Sequence, residues 1–176
     1  MKINVYDLKR NYRGESELVL RTRLEWMNEI KINFKDYKKD PYNHSYELYK
    51  LLADGFNMSQ EDVENGYMLA FDSKGKLIGA FHCTTGTESS CTWDLRKDFI
   101  RLKLINAKYF LLSHNHPHIW GKGIKQSSIN DRKMTERYIR VGRANGYELI
   151  DHLLIGRDGY GSMRKSSSTF EEWRYE

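Results

Sequence analysis

The 176-residue chain is poor in cysteine, in proline and in uninterrupted apolar sequence. Each shortage narrows what the protein can be. Its two cysteines, Cys83 and Cys91, lack the spacing of a paired metal site, and in a reducing compartment they are read as free thiols rather than as a disulfide. No segment approaches the roughly 18 apolar residues of a membrane-spanning helix. The opening stretch, MKINVYDLKRNYRGESE, has no apolar core of signal-peptide length, so the expected location is the cytoplasm, with no membrane partner. Repeats and low-complexity tracts are absent apart from a serine run at 166–168.

What is present fits one globular domain long enough to bury a core, with room for a small appendage. The net charge of +5 favours contact with anionic partners without identifying one. Part of the excess recurs at helical spacing, as Lys133, Arg137 and Arg140, opposite Met134, Tyr138 and Val141. A solvated face of an amphipathic helix is the first reading, and a nucleic-acid surface is the second.

Residues 1–57 are the least legible. INVYDLKRNY suits a strand, ELVLRTRLEWMNEI suits a strand or a helix, and NHSYELYKLLADGF suits a helix with Leu48, Leu51 and Leu52 inward. From Met58 the pattern sharpens. SQEDVEN predicts a short helical turn capped by Ser59, followed by strands at Tyr67–Phe71 and Leu77–Cys83 around a tight turn at Ser73-Lys74-Gly75. DLRKDFIRLKLINA predicts a helix with Leu95, Phe99 and Leu102 inward, and KYFLLS predicts a buried strand. A helix follows from Asp131 to Asn145, ended by Gly146, and YELIDHLLIGRD and YGSMR close the chain as strands. The order predicts an α/β domain, a mixed sheet with flanking helices.

The stretch carrying chemistry is SHNHPHIWGKGIKQSSIND. On an extended segment residues i and i+2 share a side, so His114 and His116 present two imidazoles together while Asn115 points away. Pro117 stops the strand and leaves the pair at the rim of the sheet. A hydrolytic zinc site needs three protein ligands and one open position, and two histidines with a carboxylate are a standard set. Asp131, at the start of the next helix, is the natural third ligand. The competing reading, two exposed or hydrogen-bonded histidines, stays open on the spacing alone.

His-x-His-Pro, a loop and then Ser-x-x-Asp resemble the JAMM motif of JAB/MPN metalloproteases. More narrowly, HNHP, GYELIDHLLIG, GYGSMR and the hairpin ENGYMLAFDSKGKLI resemble the RadC-like branch of that fold, over about Met58 to Arg164. The resemblance implies one JAB/MPN (cytidine-deaminase-like) domain over 58–176, preceded by an extension, 1–57, unlike the helix-hairpin-helix segment of longer RadC proteins. It implies one zinc ion per chain on His114, His116 and Asp131, with Glu64 matching the family's glutamate ahead of the first hairpin strand. It also implies the chemistry. The zinc lowers the pKa of a water from about 16 towards roughly 7. Glu64 serves as general base and then passes the proton to the leaving amine. Ser128 donates to the oxyanion, a contribution of about 3 kcal/mol.

The substrate class implied is an amide in a peptide or a protein conjugate. The alternatives are a DNA-associated accessory protein without hydrolysis, which the basic helix leaves physical room for, and a non-catalytic scaffold. Oligomeric state stays open. The chain departs from the family in its loop, which reads HIWGKGIKQS between Pro117 and Ser128 and is longer than usual; Gly121 and Gly123 ease its return. Ser127 offers a second register, but it would place Asn130, a poor zinc ligand, at the third position. Three roles are open to His118: a solvent-facing residue, a substrate contact, or a surrogate ligand that closes the open position. Trp120 packs the loop or binds a partner. His152, which also matches the family, either supports the site by a hydrogen bond or is a satisfied core histidine. Gly86-Thr87 reads as a structural turn beside the site.

Overall fold

The computed structural model describes residues 1–118, 127–166 and Trp173. Seven strands form one mixed sheet: β1 (Lys2–Arg10), β2 (Ser16–Glu25), β3 (Asn65–Phe71), β4 (Leu77–Thr85), β5 (Tyr109–Asn115), β6 (Glu148–Ile155) and β7 (Tyr160–Ser162), in the spatial order β2-β1-β4-β3-β5-β6-β7. β1 runs parallel to β4 and β5 parallel to β6, while the other neighbours are antiparallel. The helices are α1 (Phe34–Lys39), α2 (Pro41–Lys50), α3 (Leu95–Leu104) and α4 (Ile129–Ala144). The expected α/β class and mixed sheet are what the chain forms. No helix among the described residues is long and apolar enough to cross a membrane.

The period-two alternation of the central strands sorts the core into two layers. Leu69, Phe71 and Leu111 face one layer with Tyr37, Leu48, Leu51 and Leu52 from the segment around α1 and α2. Met68, Ala70, Phe110 and Leu112 face the other, with Leu102 of α3 and Tyr138 and Ile139 of α4. Because β3 and β5 are covered on both faces, their sequences read as continuous apolar runs rather than as alternation.

The ambiguous ELVLRTRLEWMNEI stretch contributes the edge strand β2, whose residues are mostly exposed or half-buried on both sides. β1 places Ile3 and Val5 in the core and links this hairpin to β4. The expected cap at Ser59 is different in the structure. A 3₁₀ turn, Met58–Gln60, opens on Asn57 in the left-handed region (φ 59°). Ser59 lies inside that turn, and its hydroxyl donates to Ala53 O at 3.2 Å. The tight turn between β3 and β4 does require its glycine: Gly75 has φ +77°, and a Cβ there would sit 1.9 Å from Ile32 O.

One irregularity has functional weight. Along the β5–β6 pair Phe110 faces Leu149 and Leu112 faces His152, so Ile150 and Asp151 together oppose Leu111. This β-bulge shifts the strand's phase by one residue. Ile150 packs in the layer of α1 and α2, Asp151 bonds Tyr37 of α1, and His152 bonds Thr135 of α4. Without the extra residue His152 would point away from α4.

Candidate metal centre

The C-terminal end of β5 and the first turn of α4 bring three side chains together. His114 and His116 leave the strand on the same side, with ring centroids 4.7 Å apart and their Nε2 atoms 2.8 Å apart. Asp131 Oδ1 lies 3.2 Å from His114 Nε2, and Asp131 Oδ2 lies 3.9 Å from His116 Nε2. One ligand atom from each residue falls within a 4.8 Å cluster, the candidate metal-holding group found among the described residues. Asp131, not Asn130, supplies the carboxylate. Tetrahedral ligands about 2.0–2.1 Å from zinc are separated by about 3.3 Å, a value that the observed separations bracket. Two imidazoles and one carboxylate are also a donor set that zinc accepts.

α4 holds Asp131 in place by its own start signal. Ser128 is the N-cap: its Oγ accepts from Asp131 N at 3.1 Å, while Asp131 Oδ2 accepts from Ser128 N at 2.8 Å. The Ser-x-x-Asp spacing is therefore a capping box. The Ser128 hydroxyl accepts in that contact, which leaves its hydrogen to donate elsewhere. Ser127 accepts from Arg132 Nε at 3.0 Å.

A buried chain of hydrogen bonds fixes the orientation of His114. Thr135 Oγ1 donates to Asp131 O at 2.7 Å, so at its 2.7 Å contact with His152 Nδ1 it accepts. His152 then carries its hydrogen on Nδ1 and accepts at Nε2 from His114 Nδ1, 2.7 Å away. His114 is left with a lone pair on Nε2, facing His116 Nε2 and the Asp131 carboxylate. Such a partner on the far nitrogen sets the tautomer of metal-ligating histidines. His152, of the two roles open to it, has both: it is fully buried and it bonds His114.

The electrostatics agree with ligand duty. Burial, reinforced by the nearby His114, lowers the His116 pKa to about 4, so its ring is neutral at physiological pH. Burial and the neighbouring His114 keep His152 neutral as well. Burial alone would raise Asp131, but the His114 ring and Ser128 beside it hold its carboxyl well below the usual range. With its hydrogen on Nδ1, His114 meets the Asp131 carboxylate acceptor to acceptor, and a cation between them, or a proton taken up on Nε2, reconciles the two.

Glu64 is 7% exposed and lines the same cavity, of about 350 Å³, as His116, Asp131 and Ser128. Burial raises its pKa, partly offset by His114 and by a hydrogen bond from Cys91. Its backbone is clamped on both sides. Glu64 N donates to Thr87 O and Glu64 O accepts from Gly86 N, both at 2.8 Å, which gives the Gly86-Thr87 turn its structural role. Asn115, pointing away from the histidines, accepts from Asn65 N at 2.6 Å and donates to Val63 O at 2.9 Å.

Sequence reasoning did not identify three contributors. Asn115 ties the ligand strand to the segment that presents Glu64. Arg157 donates to Pro117 O and to Asp62, each at 3.0 Å, and joins the turn after the histidines to that same segment. Cys91 stands between Glu64 and Trp93, and burial followed by the adjacent Glu64 pushes its thiol up to about 12. Only a three-dimensional arrangement could have drawn attention to these residues. His118 stands apart from the cluster: its ring is exposed and 3.7 Å from Glu88, and both residues line the outer cavity. Trp120, Gly121 and Gly123 lie outside the described residues.

A family model described as a RadC-like JAB domain matches residues 42–168. Among curated proteins, the chain is similar to a UPF0758 protein of Picosynechococcus sp., with 29% identity over 64% of this chain and 45% of the relative. One from Symbiobacterium thermophilum shares 30% over 61% and 44%, and one from Thermotoga maritima shares 31% over 69% and 51%. The chain thus spans about half the length of the curated relatives it matches.

Proposed function

Because the chain belongs to the RadC-like JAB domain family, and its histidine pair and helix-capping aspartate converge beside a buried glutamate, we propose that it is a zinc-dependent peptidase or isopeptidase cleaving an amide bond. The observation that carries this reading is the convergence of His114 Nε2, His116 Nε2 and the Asp131 carboxylate beside a cavity that His116, Asp131 and Glu64 line. These three residues would hold one zinc ion. When bound, zinc supplies Lewis acidity, which makes water nucleophilic near neutral pH and polarises a carbonyl.

The remaining work belongs to the protein. Glu64 takes a proton from the attacking water at its carboxylate and returns it to the departing amine nitrogen; a pKa raised by burial brings it nearer the range that suits both transfers. Asn115 and the Gly86-Thr87 backbone keep the Glu64 main chain fixed, so that its reach is short and reproducible. Ser128 keeps its acceptor side on the helix and offers its hydroxyl hydrogen to the developing oxyanion. His152 and Thr135 hold the tautomer in which His114 Nε2 is a ligand.

The test combines metal analysis with turnover. Zinc-reconstituted protein is expected to hold one zinc per chain and to hydrolyse members of a peptide library in a chelator-sensitive way. Glu64→Gln should keep the zinc and lose turnover by about 10²–10⁴-fold. A reconstituted chain without zinc, or a Glu64→Gln variant as active as the parent, would end the hydrolase reading.

A further inference from the structure

The cavity over Glu64 does not end at the metal centre. Cys91, Asn130 and Asp131 also line a second depression, of about 380 Å³, that follows the first half of α4. Together the two form one groove with unlike ends. Beside the residues that would hold zinc, its walls carry two carboxylates, Glu64 and Glu88. Along α4 it has an apolar floor of Trp93, Leu95 and Met134, all half-buried, and a rim of Lys133 and Arg137. Both cations are exposed, and neither forms an ion pair with any described residue.

We infer that this α4 arm of the groove binds an extended acidic peptide segment of the substrate, in which an apolar residue neighbours acidic residues at alternate positions. The placement of the scissile amide at Glu64 rests on the hydrolase reading above. Lys133 and Arg137 are four residues apart on one helix, so their Cβ atoms lie about 6 Å apart. Side chains at alternate positions of an extended segment project to one side about 6.6–6.8 Å apart. Two carboxylates on such a segment therefore match the two cations, while an apolar side chain beside them meets Trp93, Leu95 and Met134. Trp93 is a firm floor because its ring stands edge-on to Tyr138 and to His152, with centroids 6.0 and 6.3 Å away.

A nucleic acid suits this groove less well. Its phosphates repeat along the whole strand, so any strand passing the metal centre would set them against Glu64 and Glu88. A peptide confines its negative charge to the α4 arm and passes the acidic end with a neutral backbone.

The test uses the full chain as its zinc-reconstituted Glu64→Gln variant, so that binding is read without turnover. Fluorescence anisotropy compares labelled nonapeptides carrying Leu and then Glu-Ala-Glu with counterparts carrying Lys-Ala-Lys, alongside an oligothymidine, at physiological salt. The Glu peptide is expected to bind about tenfold more tightly than the Lys peptide, and adding Lys133→Glu with Arg137→Glu should reverse that order. Equal binding of the two peptides, or an order that the charge reversal leaves intact, overturns the inference. So does oligothymidine binding more tightly than the Glu peptide and losing that advantage on charge reversal, which would give the groove to nucleic acid. Absence of hydrolysis by the parent chain would instead count against the hydrolase reading, since binding is measured separately.

Discussion

Asp151 and His152 are neighbours on β6, both fully buried, and they point into opposite layers of the protein. Each is the centre of a polar cluster, and the two clusters end differently. Asp151 accepts from Tyr37 Oη at 2.9 Å, from Arg164 N at 2.9 Å, from His152 N at 2.7 Å and from Ser162 Oγ. Every lone pair it offers meets a donor from the protein, and the network closes on itself. The chain through His152 runs from Asp131 O by way of Thr135 to His114 and stops at a lone pair that faces the Asp131 carboxylate, with His116 Nε2 beside it. Buried polar groups are ordinarily satisfied from within. A closed network stabilises a fold, whereas one that ends in converging acceptors is arranged for something that comes from outside.

The largest effect should come from breaking the closed cluster. Asp151→Ala leaves the Tyr37 and Ser162 hydroxyls and two backbone N–H groups without their acceptor in a layer closed to water. Each buried orphan costs about 1–3 kcal/mol, so a total loss of about 3 kcal/mol or more is expected in urea unfolding. Zinc affinity of the molecules that remain folded should change far less than on loss of the His152 side chain, because Asp151 meets His152 only at its backbone N–H. A variant as stable as the parent would mean that the network contributes nothing, and the contrast would collapse.

Breaking the open cluster should do the reverse. His152→Ala removes the acceptor that keeps the hydrogen of His114 on Nδ1, so zinc affinity is expected to fall about 10–100-fold. Thr135→Val removes only the group that orients His152 and should cost less than that. Chelator competition measures both. Affinities equal to that of the parent would show that the orientation of His114 needs no support from β6 or α4.

The same comparison shows what was legible in the amino-acid order. The β3–β4 hairpin, the buried β5 and the two helices α3 and α4 were readable because each repeats its apolar residues at one fixed period and ends in turn chemistry such as Gly75 or Gly146. The two histidines were readable because alternation on a strand is local. Their convergence with Asp131 was expected from the resemblance and from helix-start spacing, and the side chains do meet. The bulge at Ile150 and Asp151 was not readable: an extra residue leaves no mark in an apolar run, yet it decides which layer His152 enters. Nor was β2, a polar edge strand whose two faces carry no contrast. Asn115, Arg157 and Cys91 act on segments tens of residues away, and no local spacing encodes such a contact.

The smallest effect sharpens the contrast through pH. Burial raises the pKa of Asp151, against the opposing pull of Ser162, Arg164 and Tyr37. For a carboxyl so raised, stability is greatest below the unfolded value of about 3.8 and declines as pH rises through the folded value, because the ionised form is the one that burial penalises. Tyr37 donates to that ionised form more strongly than to the neutral acid. Tyr37→Phe should therefore cost least at low pH, about 1 kcal/mol, and more once Asp151 has ionised. Urea unfolding of the parent and the variant at several pH values checks this, since losses common to both cancel in the difference. A cost that stays flat or shrinks with rising pH would mean that Asp151 remains protonated throughout, a neutral strut beside the buried Arg164 guanidinium.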